Sequence, residues 1–108
     1  MDCSRIEKRR SKRPAVGWQA ICTLAPGSIR CVVITDLSPQ GCRIWGKDLA
    51  LSRDGLVTIK PDGVDAVSTV VRWATRCEAG LEFLDPMQQS LADQLRREHA
   101  MHWRPALR

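Results

Sequence analysis

Four basic residues fall in the five-residue run Arg9-Arg10-Ser11-Lys12-Arg13, and about two dozen residues later the chain reads Asp36-Leu37-Ser38-Pro39-Gln40-Gly41. A guanidinium fork can pair bidentately with a phosphate, address the O6 and N7 edge of guanine, or stack on a base. A carboxylate such as Asp36 can accept N–H bonds from the Watson–Crick edge of guanine, a contact that adenine, lacking the N2 amino group, cannot return. Ser38 can donate to a phosphate, and Gly41 can supply either a positive φ or a close backbone approach that a β-carbon would obstruct. The competing reading of residues 36–41 is a plain β-connection whose Asp and Ser bond their own backbone.

Charge supports the first reading. Residues 1–13 hold six Lys and Arg against two acidic residues, a local +4, whereas the rest of the chain carries eleven basic against ten acidic side chains. Such a leader has too little apolar surface to bury itself and is expected to be flexible until an anion orders it. The leader, residues 1–13, is thus set apart from a folded body over residues 14–85 and a C-terminal stretch over residues 86–108. With 108 residues and 44% apolar content there is room for one domain with a modest core. No run approaches a membrane span and no apolar stretch follows the basic start, so a cytoplasmic protein without membrane insertion is expected. Five cysteines without a C-x-x-C pair argue against a disulfide framework or a zinc knuckle, and most read as small buried residues.

Other chemistries fail on context. Residues 41–47 match the first seven positions of a phosphate-binding loop, but Asp48 stands where Ser or Thr would bind magnesium, and the segment reads as a strand. His99 and His102 are three apart without a third ligand, so no metal or other cofactor is expected. No Ser or Cys sits in a nucleophile elbow with an assignable base, and the chain is not expected to be an enzyme.

The elements that must position the candidate residues are mostly strands. From residue 15 the period is two, with Val16, Trp18, Ala20, Cys22 and Leu24 on one face and Gln19 and Thr23 on the other. Pro26-Gly27-Ser28 turns the chain into a β-branched run from Ile29 to Thr35, and Ser38-Pro39-Gln40-Gly41 breaks it before Cys42 to Trp45. Leu56 to Ile59 runs into the turn signal Asp62-Gly63, and Val64 to Ala74 returns with Val67, Thr69, Val71 and Trp73 on one side. A last strand covers about Glu78 to Leu84. Six strands at this spacing suggest a mainly β, closed or nearly closed antiparallel barrel. Asp85 as N-cap, Pro86 at the first helical position and Gln88 in a capping box then predict a helix from residue 86 to about 102. Its Met87, Leu91 and Leu95 stripe should plug an open barrel end.

On these residues the chain resembles the PilZ domains, bacterial receptors for the second messenger cyclic di-GMP. Arg9-x-x-x-Arg13 followed by Asp36-x-Ser38-x-x-Gly41 is similar to that family's paired signature. The resemblance runs from about Lys8 to Leu84, taking in Val71-Arg72-Trp73 and Gly80-Leu81-Glu82-Phe83, which are similar to its late barrel strands. It implies a six-stranded PilZ-type barrel with a C-terminal helix, and a cyclic di-GMP site made by Arg9, Arg10, Arg13, Asp36, Ser38 and Gly41. Lys8 could add charge that favours a pair of ligand molecules, and Trp73 could border the ligand as well as fill the core. The implied mechanism is coupled ordering: the ligand bridges the leader to the barrel, and the new surface alters affinity for a protein effector. Motility, exopolysaccharide or virulence outputs are what the resemblance implies.

Two rivals remain. A small nucleic-acid-binding barrel would use the basic leader on phosphates, but one Phe, no Tyr and four Trp offer few stacking platforms. Residues 14–87, with seven basic against eight acidic side chains, show no basic excess either, so nucleic acid is disfavoured. The other rival is a PilZ-like protein-interaction module that does not bind nucleotide. Replacing Arg13 or Asp36 is expected to remove nucleotide affinity with little loss of thermal stability if the receptor reading holds.

Overall fold

The computed structural model describes residues 17–24 and 27–99. Strands that alternate apolar and polar side chains can bury one face only by curling round a shared interior. Six do so: β1 (Trp18–Leu24), β2 (Ser28–Ser38), β3 (Gly41–Trp45), β4 (Leu56–Pro61), β5 (Val67–Ala74) and β6 (Glu78–Phe83). They form a closed barrel in the order β1-β2-β3-β6-β5-β4, and the pairing of β1 with β4, Cys22 opposite Ile59, closes it. Every neighbouring pair is antiparallel, so closure leaves no long open edge. The interior is filled by Cys22, Val32, Ile34, Ile44, Val71 and Leu81, each at most 2% exposed. Thr69, the polar side chain that joins them, donates its hydroxyl to the Val57 carbonyl at 3.0 Å and so meets the hydrogen-bonding demand of its burial.

Strand limits differ most from the sequence expectation in β2 and β5. β2 continues past Thr35 to Ser38, so residues 36–38 and 41 belong to strands and only Pro39 and Gln40 make the turn. β5 begins at Val67, not Val64. The chain first completes the tight turn in which Gly63 takes φ +89° and the Val64 N–H donates to the Pro61 carbonyl at 3.2 Å, the positive φ that favours glycine there. Residues 41–45 are strand β3, as the rejected phosphate-loop match required.

One helix, α1 (Gln89–Glu98), follows the barrel. It starts later than predicted, and neither Asp85 nor Pro86 opens it; Gln88 is the N-cap, without a side-chain bond. The intervening backbone is otherwise engaged. Phe83 N–H donates to the Gln40 carbonyl at 2.7 Å, Leu84 N–H to Ser68 at 3.1 Å and Met87 N–H to Pro39 at 2.9 Å. These bonds hold the segment extended across the β2–β3 turn until the helix can begin. Met87 and Leu95 then pack on the core, as predicted, whereas Leu91, the middle residue of the stripe, stays 43% exposed. The helix ends at Glu98 with His99 as its C-cap, short of the predicted end near residue 102; residues 100–102 lie outside the described residues.

Cys22 and Cys42 are buried free thiols, and Cys31 is exposed and free. Cys77 is disulfide-bonded, which the unpatterned cysteines did not foretell. Among the described residues no helix is long and apolar enough to cross a membrane, and no group of three His, Cys, Asp or Glu is placed to hold a metal.

Candidate functional site

Strict alternation would send Asp36 inward behind Ile34. Instead the pairing of β2 with β3 shifts between Ile34 and Asp36. Thr35 is the extra residue, its hydroxyl donating to the Arg43 carbonyl at 3.4 Å. Ile34 and Leu37 both stay in the core, and Asp36 is turned to the outer side of the barrel opposite Arg43. A second shift, between Val71 and Trp73, does the same for β5: Val71 pairs with buried Leu81, but Trp73 pairs with Gly80. One extra residue re-aims everything after it, which is what a β-bulge does. Trp73 therefore faces out, although its alternation with Val67, Thr69 and Val71 had placed it with the core face.

The two bulges create one row across four strands, Asp36 on β2, Arg43 on β3, Gly80 on β6 and Trp73 on β5. Asp36 is fully buried, and its Oδ2 lies 3.2 Å from Arg43 Nη1. The Arg43 guanidinium carbon sits 5.7 Å from the centre of the Trp73 ring, a cation–π distance. Trp73 in turn lies flat on Gly80, where a β-carbon would come 2.6 Å from its Cε2. Charge and aromatic surface are thus packed side by side, with glycine required beneath the ring.

Beside this row runs an open trough of about 790 Å³, bordered by Gln40, Leu51, Arg53, Arg72, Trp73 and Glu82. Arg72, the extra residue of the β5 bulge, pairs with Glu82 across β6 and with Asp54 at 3.8 Å. The loop over residues 46–55 makes the far wall and is fastened to the bulge: Asp54 N–H donates to Val71 at 2.7 Å and Val71 N–H to Gly55 at 2.9 Å. That loop holds Asp48, Ala50 and Asp54 at positive φ, costly backbone that surrounding contacts must sustain.

Of the predicted site residues, Asp36, Ser38, Gly41 and Trp73 are brought to one side of the barrel. Ser38 is almost fully buried, and its hydroxyl exchanges bonds with Gly41 inside the turn, accepting from the Gly41 N–H at 3.3 Å and facing its carbonyl at 3.4 Å. Gly41 is buried opposite Ser38. The glycines with positive φ are Gly17, Gly27 and Gly63, so the positive φ expected as one role for Gly41 is not found. Lys8, Arg9, Arg10 and Arg13 lie outside the described residues. His99, unassigned by the sequence, stacks on Trp18 with ring centres 4.1 Å apart.

Sequence reasoning missed Arg43, Arg72 and Gly80. For Arg43 the signal was present, since buried Cys42 and Ile44 on either side send the residue between them outward. For the other two it was not, because neither a bulge nor the ring resting on Gly80 has a sequence signature.

No curated protein and no solved structure matches the chain. A family model described as PilZ domain matches residues 7–98. That span takes in both halves of the arginine and Asp36-x-Ser38-x-x-Gly41 pattern, all six strands and α1, and the chain belongs to the PilZ domain family.

Proposed function

We propose that this chain is a cyclic di-GMP receptor that signals by changing its surface for a protein effector in the bacterial cytoplasm. PilZ domains are generally cyclic di-GMP-binding or adaptor modules, not a catalytic family. The observation that carries the reading for this chain is the bulge-made row of Asp36, Arg43, Gly80 and Trp73 beside an open trough. It supplies what a guanine nucleotide needs: a flat ring for a base, a guanidinium for a phosphate or base, and a carboxylate for the Watson–Crick edge. In this reading Arg43 swings off Asp36 as guanine arrives and takes a ligand phosphate as its partner, while the buried Asp36 carboxylate accepts the guanine N–H groups in its place. Arg9, Arg10 and Arg13, with Lys8, would close over the ligand's remaining phosphate charge. Ser38 and Gly41 hold the hairpin in shape and let the ligand approach its backbone.

One observation favours a second reading, an interaction module without nucleotide binding: Ser38 already bonds Gly41 and Asp36 already pairs with Arg43. Calorimetric titration with cyclic di-GMP, with cyclic di-AMP and GTP as controls at two salt concentrations, separates the two. Selective saturable binding is expected, with stoichiometry giving one or two molecules per chain. Absence of heat, together with unmoved amide resonances at residues 36–43 and 73, would leave the interaction module standing.

A further inference from the structure

Where α1 crosses the barrel end, the packing leaves an apolar cavity of about 220 Å³. Its floor is core, with Leu37, Cys42, Ile59 and Phe83; its lid is the Met87, Leu91 and Leu95 stripe; and Trp18 stands at one side. Val64 and Leu91, 39% and 43% exposed, both line the cavity and bring it to the surface. Cys42 brings no charge, because burial pushes its thiol up to about 12. Asp65 is the charged residue among the described residues of its lining. So apolar a lining offers a water molecule few partners, and an engineered apolar cavity of about 150 Å³ takes up benzene or xenon.

We infer that this cavity is a second binding site, taking one small uncharged aromatic ring. A ring is preferred to an acyl chain because Trp18, Phe83, Met87 and Cys42 surround the space, and aromatic edges and sulfur atoms make their best contacts with rings. An anionic ligand is disfavoured by Asp65 at the entrance, and no basic residue lines the cavity among the described residues. Leu37 and Cys42 are also the inward residues of the hairpin whose outer side carries Asp36 and Ser38. An occupant therefore touches the inner face of that hairpin and the lid helix together. The site stands on the barrel and helix alone and does not depend on nucleotide binding.

The test is a methyl NMR titration of the full chain with toluene, with octan-1-ol and benzoate in parallel. Toluene is expected to shift the methyls of Ile34, Leu37, Ile59 and Leu95 saturably, with benzoate inactive. Val67→Phe, which puts a ring into the cavity, and Val64→Phe, which blocks its exposed mouth without touching the core, should each weaken toluene binding at least tenfold. Exposure of Val64 keeps the second variant folded even if the first is not. No saturable shift in the natural protein, equal toluene affinity in the folded variants, or a response to octan-1-ol without one to toluene overturns the assignment.

Discussion

At the scale of single residues, burial changes what Asp36 is expected to do. A surface acceptor could be replaced at little cost, which is the sequence expectation. A side chain with no exposed area, paired with Arg43 at 3.2 Å, cannot. Removing one partner of a buried pair strands the other, although Arg43 keeps 22% of its side chain in solvent, which lowers the cost. Asp36→Asn is therefore expected to destabilise the fold by about 1–3 kcal/mol in urea titrations and, under the proposed function, to weaken cyclic di-GMP binding more than tenfold by calorimetry. Unchanged stability would show that Arg43 finds an equal partner elsewhere. The companion substitution is Gly80→Ala. Its β-carbon meets the Trp73 ring, so the indole must lift, at about 1–3 kcal/mol of overpacking, with a changed tryptophan emission to report it. Trp73→Ala, which removes the stacking surface but empties no core site, should cut nucleotide affinity by roughly tenfold and leave the urea midpoint nearly in place.

At the scale of elements, the hairpin of β2 and β3 is gripped from behind by the C-terminal segment. Its Pro39 and Gln40 carbonyls accept from Met87 and Phe83 N–H groups, and its Leu37 carbonyl accepts from Arg96 Nη1 at 2.9 Å, a guanidinium that α1 also ties to Asp93. Arg96 is 8% exposed, unusual burial for an arginine, and it links the helix to the hairpin carrying Asp36. Arg96→Met keeps the apolar stem and deletes the donors, so the Leu37 carbonyl loses a buried partner at about 1–3 kcal/mol. Faster hydrogen exchange across α1 and shifted amides at residues 36–41 should follow without any ligand. An α1 that exchanges at the natural rate would mean the apolar stripe alone holds it. Neither the grip nor the bulges were legible in the sequence, and for one reason. Alternation of Trp18, Ala20 and Cys22, or of Val67, Thr69 and Val71, reports which face a regular strand buries. It cannot report an inserted residue such as Thr35 or Arg72 that changes the face. The capping pattern at Asp85 misled similarly, because local helix signals lost to the backbone bonds at Phe83, Leu84 and Met87.

At the scale of the whole molecule, the strand count, the closing helix and the residues of the signature hairpin could all be read in advance, since composition and period report what must be buried. How tightly the barrel seals them could not. The sealed interior makes a prediction about pH. Burial raises the Cys22 thiol to about 11, partly offset by the charge of Arg30, and raises the Cys42 thiol to about 12, with Cys22 adding to the effect. Both start from 9.0, so the folded state holds these protons more tightly than the unfolded chain. Their stabilising contribution is complete below pH 9 and is lost as pH climbs from 9 through 11 and 12, at a slope of about 1.4 kcal/mol per pH unit for each thiol. The chain has no tyrosine, so phenol ionisation does not blur the measurement and tryptophan emission can follow it. Urea midpoints should be level from pH 7 to 9 and fall above that, and Cys42→Ala should flatten the fall by about half. Exposed Cys31 should meanwhile react with a thiol reagent at pH 8 while Cys22 and Cys42 do not. A midpoint level through pH 11 would mean that the barrel opens far enough for water to reach its thiols, and that the closed sheet seals its core less tightly than its pairing implies.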